Sequence, residues 1–190
     1  MGFYRTRYIL IIALLLLTAG CMGPPGADLQ TGRDQPEPAM RVSVSSGVNG
    51  SDLPAIYSCT GPGQVPAIFW RDPPTGAQSM AVIMEDPDAP SGLFTHWIVY
   101  NLDPAEGGVP PNQLPVAERA GSGFQGLNSL KTRGYLPPCP PDATVHRYVF
   151  TLYALDTRIS PSIPDRSQID AAMEGHILET ASIVNFFGRE

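Results

Sequence analysis

Short apolar runs separated by proline and glycine make up most of the chain after about residue 40. The chain contains 21 prolines and 19 glycines, and punctuation of this kind is typical of all-β domains with structured loops. We therefore predict an all-β domain over residues 40–190. The predicted strands cover residues 41–45, 67–70, 80–85, 97–102 and 146–156.

The predicted strand at 146–156 has apolar side chains at both alternating sets of positions. Tyr148 and Phe150 would lie on one face and Val149 on the other. A strand that is apolar on both faces is expected in the interior of a sheet. We therefore predict that this strand is central.

Near the C-terminus, apolar residues recur at helical spacing between Ile169 and Val184. Ser167 is a candidate N-cap and Gly188 a candidate stop. The pattern predicts one amphipathic α-helix that closes the chain. His176 falls on its apolar stripe, where a buried, hydrogen-bonded structural histidine is expected.

The first twenty residues have the order of an export signal. Arg5 and Arg7 precede an apolar run at 8–17, and small residues lead to Cys21. The run is about ten residues long, short of the ~20 that span a bilayer. Residues 17–21 resemble a lipobox, so we predict a signal peptide over 1–20 and a lipidated Cys21. The alternatives are an ordinary cleaved signal with an unmodified Cys21 and an uncleaved N-terminal anchor.

All three alternatives place the domain outside the cytoplasm, and the lipidated form would hold it on the cell membrane. Residues 21–39 are rich in proline and glycine and lack apolar periodicity. Such a segment buries too little apolar surface to offset its ordering entropy. We therefore interpret it as an extended tether between the lipid and the domain.

The charge balance argues against a nucleic-acid partner. After removal of residues 1–20 the chain has ten basic and 18 acidic residues, which gives a formal net charge of −8. Lys131 is the only lysine, and the arginines are dispersed. A protein that follows a phosphate backbone needs a clustered basic surface. An anionic ligand would therefore have to be held by a local site.

Cys59 and Cys139 are the two cysteines of the domain. In an oxidising compartment such a pair can form a disulfide. Pairing cannot be deduced from spacing alone, so the sequence does not decide whether these two cysteines are bonded.

Two segments bring acidic and imidazole side chains to the ends of predicted strands. Asp86 and Asp88 follow the strand at 80–85, while His96 and His146 open two others. Prolines fix the backbone of the acidic loop. The carboxylates are expected to raise the histidine pKa values and so create a local anion site. The alternative is structural: the carboxylates accept hydrogen bonds from turn amides, and the histidines are merely hydrogen-bonded neighbours.

These segments resemble the two signatures of the phosphatidylethanolamine-binding-protein family, which includes Raf kinase inhibitor protein. The first match is Asp86-Pro87-Asp88-Ala89-Pro90-Ser91 followed by His96, and the second is Gly134-Tyr135, Pro140-Pro141 and His146-Arg147-Tyr148. The resemblance runs from about residue 59 to residue 188. The segment 173–178 is similar to a helix of bacterial and archaeal members.

The resemblance implies an all-β Greek-key fold with a large central sheet, a smaller flanking sheet and a C-terminal helix. It further implies a cis Ala89–Pro90 bond. Arg147 alternates away from His146, so we expect it in a structural ion pair. This chain departs from the family at Pro137, Pro138 and Cys139, where members usually have glycine. The residues that the resemblance places around a shallow pocket for phosphate-type head groups are Asp86, Asp88, His96, His146 and Tyr148, with Pro140 and Pro141 as its rim.

The function predicted from these features is binding, without turnover, of a small anionic ligand such as a phosphate or a phospholipid head group. Regulation of a partner protein is a further expectation. Two alternatives remain: an extracytoplasmic protease inhibitor and a metal-dependent enzyme. Two histidines with a carboxylate can bind a transition metal. However, no Gly-x-Ser-x-Gly motif occurs, and Ser122 lacks a recognisable neighbouring base. The sequence predicts no cofactor and no metal.

Overall fold

The computed structural model describes residues 39–111, 113, 116–141, 144–160 and 162–189. The predicted signal, Cys21 and all but the last residue of the predicted tether lie outside the described residues. Those described belong to one compact unit, Glu37–Glu190. Within these ranges no helix is long and apolar enough to cross a membrane.

The described chain is mainly β-structure, with one α-helix. The elements are β1 (Arg41–Val44), β2 (Ser51–Asp52), β3 (Ile68–Arg71), β4 (Ser79–Asp86), β5 (Phe94–Leu102), β6 (Gly108–Val109), β7 (Arg119–Ala120), β8 (Gly123–Gln125), β9 (His146–Leu155), α1 (Arg166–Met173) and β10 (Ile177–Phe187). The five predicted strands are confirmed, with ends that differ by at most three residues.

Two sheets carry the fold. The large sheet has the order β2-β10-β9-β4-β5-β8-β7, and the small one has the order β1-β3-β6. Within the large sheet β4, β5 and β8 are antiparallel neighbours in succession, and β9 returns to pair with β4. This order is that of a Greek key. The predicted all-β class with a large and a smaller sheet is confirmed, and β9 is an interior strand as predicted.

Each face of the large sheet has its own hydrophobic core. On one face, Met84 and Val99 pack in a cluster with Ile68 and Trp70 of the small sheet. On the other, Ile83 and Ile98 pack in a cluster with side chains of α1. β4 is apolar on both faces because it lies between two covered layers.

The predicted C-terminal helix is wrong for most of its length. Only α1 is helical, and β10 pairs along the whole of β9. Gly175, at φ 76°, separates the two elements. In β10, Ile183, Asn185 and Phe187 alternate as buried residues, so pairing with β9 overrides the helical spacing. The N-cap is Asp165, which forms a capping box with Gln168, and not Ser167.

His176 also differs from the prediction, because it lies in the turn before β10. Its side chain is exposed, and Nδ1 is 2.7 Å from Oδ1 of Asp156. A buried structural role is therefore wrong for this histidine.

The described chain enters the fold at one end of the β9–β10 ladder. The backbone N–H of Met40 donates to Oε1 of Glu179 at 2.8 Å. Glu179 pairs with Ala154, whereas His146 pairs with Phe187 at the other end. The entry point and the start of β9 therefore lie at opposite ends of the ladder.

Candidate functional site

Strand polarity brings the predicted site residues together. β4 is antiparallel to both β5 and β9, so its last residue lies beside the first residues of its two neighbours. Asp86 ends β4 and pairs with Phe94, while His146 begins β9. The Asp86 carboxylate and the first residues of β5 and β9 therefore lie together at one end of these three interior strands.

A β-bulge determines which face His96 occupies. Met84 pairs with Trp97 and Glu85 with Thr95, which leaves His96 without a paired residue on β4. Trp97 packs in the core shared with the small sheet, and the ring of His96 lies on that same face, 5.3 Å from the ring of Tyr148. Strict alternation would have sent His96 to the opposite face. The bulge therefore aims this imidazole into the site.

These side chains surround a cavity of about 310 Å³. Six of the seven predicted ligand-binding residues line it. They are Asp86, His96, Pro140, Pro141, His146 and Tyr148. The remaining wall is mostly apolar, formed by residues that include Ala89, Pro90, Phe94, Leu130, Leu136 and Pro137.

Asp86 and His146 form a buried pair at the base of the cavity. Oδ2 of Asp86 is 2.7 Å from Nδ1 of His146, and the two side chains are 5% and 3% exposed. The other ring nitrogen of His146 lies 3.1 Å from the Thr144 hydroxyl. Oδ1 of Asp86 accepts the backbone N–H of Asp88. Since both ring nitrogens are engaged, His146 holds Asp86 in place and has no nitrogen left for a ligand.

His96 is held by one ring nitrogen only. Its Nδ1 donates to the Leu136 carbonyl at 2.8 Å, which assigns the proton of the neutral ring to Nδ1. Nε2 has no hydrogen-bond partner in the part of the chain that the structure describes. Burial lowers the pKa of His96, and this outweighs the opposing effects of the Leu136 carbonyl and Asp86. The expected rise of this pKa is therefore wrong, since the ring is desolvated more than it is stabilised by charge.

Tyr148 presents a buried hydroxyl to the same cavity. The residue is fully buried, and its oxygen has no hydrogen-bond partner of normal geometry among the described residues. Burial, next the charge of the nearby Asp86 carboxylate, and then the contact of the hydroxyl with that carboxylate raise the pKa of the phenol, so the group is a neutral donor. The contact does not have the geometry of a normal hydrogen bond. Buried polar groups without a partner are rare in native proteins and call for an explanation.

Asp88 is the predicted site residue that the structure keeps apart. It is not a lining residue, and its carboxylate accepts hydrogen bonds from the backbone N–H, Nε and an Nη of Arg147. The bond to the Arg147 side chain lowers the pKa of Asp88 to about 2. Arg147 thus forms the structural ion pair expected of it. The role of Asp88 in ligand binding stays a prediction.

The rim of the cavity contains a disulfide whose pairing the sequence did not decide. Cys59 and Cys139 are joined, and Cys139 lines the cavity beside Pro140. The Ala89–Pro90 bond is trans, so the expected cis bond is wrong. Trans remains the favoured form even before proline.

Several contributors to the site were not predicted as ligand-binding residues. Phe94 and Leu130 line the cavity, and the Leu136 carbonyl orients His96. Phe94 lies two residues before His96, so the alternation of side chains along β5 could have found it. Nothing in the local sequence indicates that residues 130 and 136 return to β5. In the described ranges, no three His, Cys, Asp or Glu side chains are grouped as a metal site would require.

Relatives of this chain come from archaea and bacteria. A UPF0098 protein of Methanothermobacter thermautotrophicus is 43% identical over 140 residues, which cover 72% of this chain and 91% of that protein. A UPF0098 protein of Chlamydia muridarum is 41% identical over 157 residues, which cover 80% of this chain and all of the relative.

Solved structures share the fold. A phosphatidylethanolamine-binding protein homolog from Chlamydia trachomatis aligns with a TM-score of 0.73 at 38% identity, covering 80% of this chain and 99% of its own. E. coli YbcL, described as a member of the mammalian PEBP family, also gives a TM-score of 0.73, at 24% identity over 80% of this chain and all of YbcL. The sequence profile named phosphatidylethanolamine-binding protein matches residues 43–187. The chain therefore belongs to the phosphatidylethanolamine-binding protein family.

Proposed function

We propose that this domain binds a small anionic ligand of the phosphate type in the cavity between Asp86 and the proline rim. The observation that carries the proposal is the hydroxyl of Tyr148, which is buried in the cavity wall and makes no hydrogen bond of normal geometry to the described residues. An acceptor oxygen of a ligand would supply the missing hydrogen bond. Leaving a buried donor unpaired costs about 1–3 kcal/mol, so a ligand that pairs it gains that energy.

The ligand would bind together with a proton at Nε2 of His96. The neutral ring carries a lone pair at this nitrogen, because Nδ1 is committed to the Leu136 carbonyl. An anion either brings a proton, as a monohydrogen phosphate does, or raises the pKa of the imidazole until Nε2 becomes a donor. In both cases one proton lies between Nε2 and the ligand oxygen.

The charges around the cavity favour a ligand with an apolar part over free phosphate. Arg147, a neighbouring cation, is already paired with Asp88. The Asp86 carboxylate repels an anion, while the wall beside it is largely apolar. An ester with a small organic group can bury that group against Phe94 and Leu130, at roughly 25 cal/mol per Å² of apolar surface. Phosphoethanolamine adds two methylene groups that can pack on this wall and an ammonium group whose positive charge offsets the repulsion by Asp86, so we expect it to bind more tightly than inorganic phosphate.

Native mass spectrometry of the full chain in detergent tests the proposal directly. The protein would be titrated with phosphoethanolamine, inorganic phosphate and a nucleotide. We expect a one-to-one adduct with the first that is lost in His96→Gln. The matched control is His176→Gln, because His176 is exposed and outside the cavity. Equal binding by all three proteins would move the site elsewhere.

We further infer that the site binds its ligand without turning it over. The cavity holds an Asp–His pair, and the Thr144 hydroxyl that lies 3.1 Å from Nε2 of His146 is not among the residues that line the cavity. Phosphorus NMR of the phosphoester during long incubation should show an unchanged signal. Growth of a free phosphate signal above that of a His96→Gln control would make the protein a hydrolase.

We also propose that the domain is exported and lipid-anchored through Cys21, where it could regulate a partner protein. This proposal rests on the basic, apolar and small-residue order of residues 1–21. Metabolic labelling with a radioactive fatty acid should label the chain and not its Cys21→Ser variant. Label retained in the variant would contradict lipidation at this cysteine.

A further inference from the structure

The disulfide Cys59–Cys139 is part of the cavity wall and is open to solvent. It joins positions 80 residues apart, and Cys139 lines the cavity between Pro137 and Pro140. Both cysteines are exposed. A thiolate in solution can therefore reach the bridge, and exposed disulfides are commonly the labile or regulatory ones.

The rim segment 137–141 has almost no means of holding itself in place by hydrogen bonds. Four of its five residues are proline, so Cys139 supplies the only backbone N–H. Such a segment cannot join a β-ladder as a donor. Its prolines also make it stiff, so that fixing one point fixes the neighbouring lining residues with it.

Pro138 and Pro140 of this segment are buried, but few hydrogen bonds attach it to the loop that carries Cys59. The backbone N–H of Cys59 donates to the Pro138 carbonyl at 3.0 Å. Gly63 passes so close to Pro137 that a Cβ on the glycine would lie 2.8 Å from Cγ of the proline. At the other end, an Nη of Arg189 donates to the Pro141 carbonyl. The covalent bridge is therefore the strongest link between rim and loop.

We propose that Cys59–Cys139 is a redox-controlled clasp on the ligand cavity, closed when oxidised and opened by a dithiol. The inference rests on the proposed ligand binding and adds its regulation. With the bridge closed, the proline rim is preorganised against the wall formed by Ala89, Pro90 and Phe94. With the bridge open, the stiff rim can shift as a unit and must be positioned again each time a ligand binds, which weakens binding.

The switching reaction is ordinary thiol–disulfide exchange. A thiolate of the dithiol attacks one sulfur of the bridge, the S–S bond breaks, and the other cysteine leaves as a thiolate that takes up a proton. The second thiol of the reductant then attacks the mixed disulfide and releases the first cysteine. Two electrons and two protons pass from the dithiol, which becomes a disulfide, to Cys59 and Cys139.

The test uses the full chain with Cys21→Ser, purified in detergent, so that every titratable thiol belongs to the clasp. Calorimetry with phosphoethanolamine would be run before and after treatment with dithiothreitol, and after reoxidation. We expect two thiols to appear on reduction and the affinity to fall about tenfold, which corresponds to about 1.4 kcal/mol, and to recover on reoxidation. Cys59→Ser should bind phosphoethanolamine as weakly as the reduced protein does, and dithiothreitol should not change its affinity. Cys59 itself does not line the cavity.

Hydrogen exchange gives a readout that needs no ligand. Peptides covering 57–64 and 134–141 should exchange faster after reduction, while those of β4 and β9 should not change. If the peptides of β4 and β9 exchange in Cys59→Ser at the same rate as in the wild-type protein, the variant is folded. Wild-type protein should respond to dithiothreitol as Cys21→Ser does.

The outcomes separate the two proposals. Two new thiols with unchanged affinity and unchanged rim exchange would overturn the clasp, and so would a bridge that resists dithiothreitol until the domain unfolds. If the oxidised protein fails to bind phosphoethanolamine, the proposed function fails for that ligand class. The exchange measurement alone then decides whether the bridge holds the rim.

Discussion

Replacing Tyr148 by phenylalanine should raise the stability of the ligand-free domain and lower its affinity for the ligand. The substitution removes one oxygen that is buried without a hydrogen-bond partner among the described residues. Relief of such a group is worth about 1–3 kcal/mol. Because the oxygen leaves a small gap behind, we expect the lower value, about 1 kcal/mol. For a domain of this size that raises the Tm by roughly 2–4 °C.

The same oxygen should matter in the opposite direction when a ligand is bound. A hydrogen bond to a charged acceptor contributes about 1.5–3 kcal/mol. Tyr148→Phe should therefore weaken phosphoethanolamine binding by about tenfold or more, since 1.4 kcal/mol is a factor of ten. Differential scanning calorimetry measures the first effect, and isothermal titration calorimetry measures the second.

Tyr135 offers a matched control for the change in stability. Its hydroxyl is also buried but donates to the Tyr57 carbonyl at 2.6 Å. Tyr135→Phe should therefore lower the Tm, by an amount similar to the rise in Tyr148→Phe. If Tyr148→Phe instead lowers the Tm and leaves ligand affinity unchanged, its hydroxyl is bonded within the protein, to Asp86, and the reasoning is refuted.

Two further predictions follow from the titrating groups. Burial lowers the pKa of His96 from 6.5 and a bound anion raises it again, so His96 takes up a proton when the anion binds. The affinity for sulfate, whose charge is constant over this range, should therefore rise as the pH falls from 8 to 6. Calorimetry of His96→Gln should show a flatter pH profile. The pKa of Asp88 is depressed from 3.8 to about 2, so its ion pair stabilises the fold above pH 3.8 and is lost as pH falls through 2. Asp88→Asn should therefore lower the Tm at pH 7 but not near pH 2, and an equal loss at both would show that the charge is not involved.

The sequence predicted most of the sheet that carries the site. β9 was identifiable because its apolar residues fill both faces, and Asp86 and His146 were identifiable because they lie where apolar strands end or begin. Such signals are local, since each depends on residues within one strand. The resemblance to a known family joined the two segments into one site.

What the sequence could not predict depends on distant contacts. Residues 177, 180 and 184 have helical spacing, yet β10 is a strand because β9 offers a long partner. The bulge at His96 becomes visible only in the pairing of β5 with β4. The direction of the His96 pKa depends on how deeply the ring is buried, which the neighbouring carboxylates alone do not indicate.

Met40 and the cavity lie at opposite ends of the β9–β10 ladder. Met40 is bound to Glu179, which pairs with Ala154, eight residues along β9 from His146. At 3.3 Å per residue, about 26 Å along β9 separate Ala154 from His146 at the base of the cavity. A fusion partner joined at residue 40 should therefore leave the cavity accessible to a ligand.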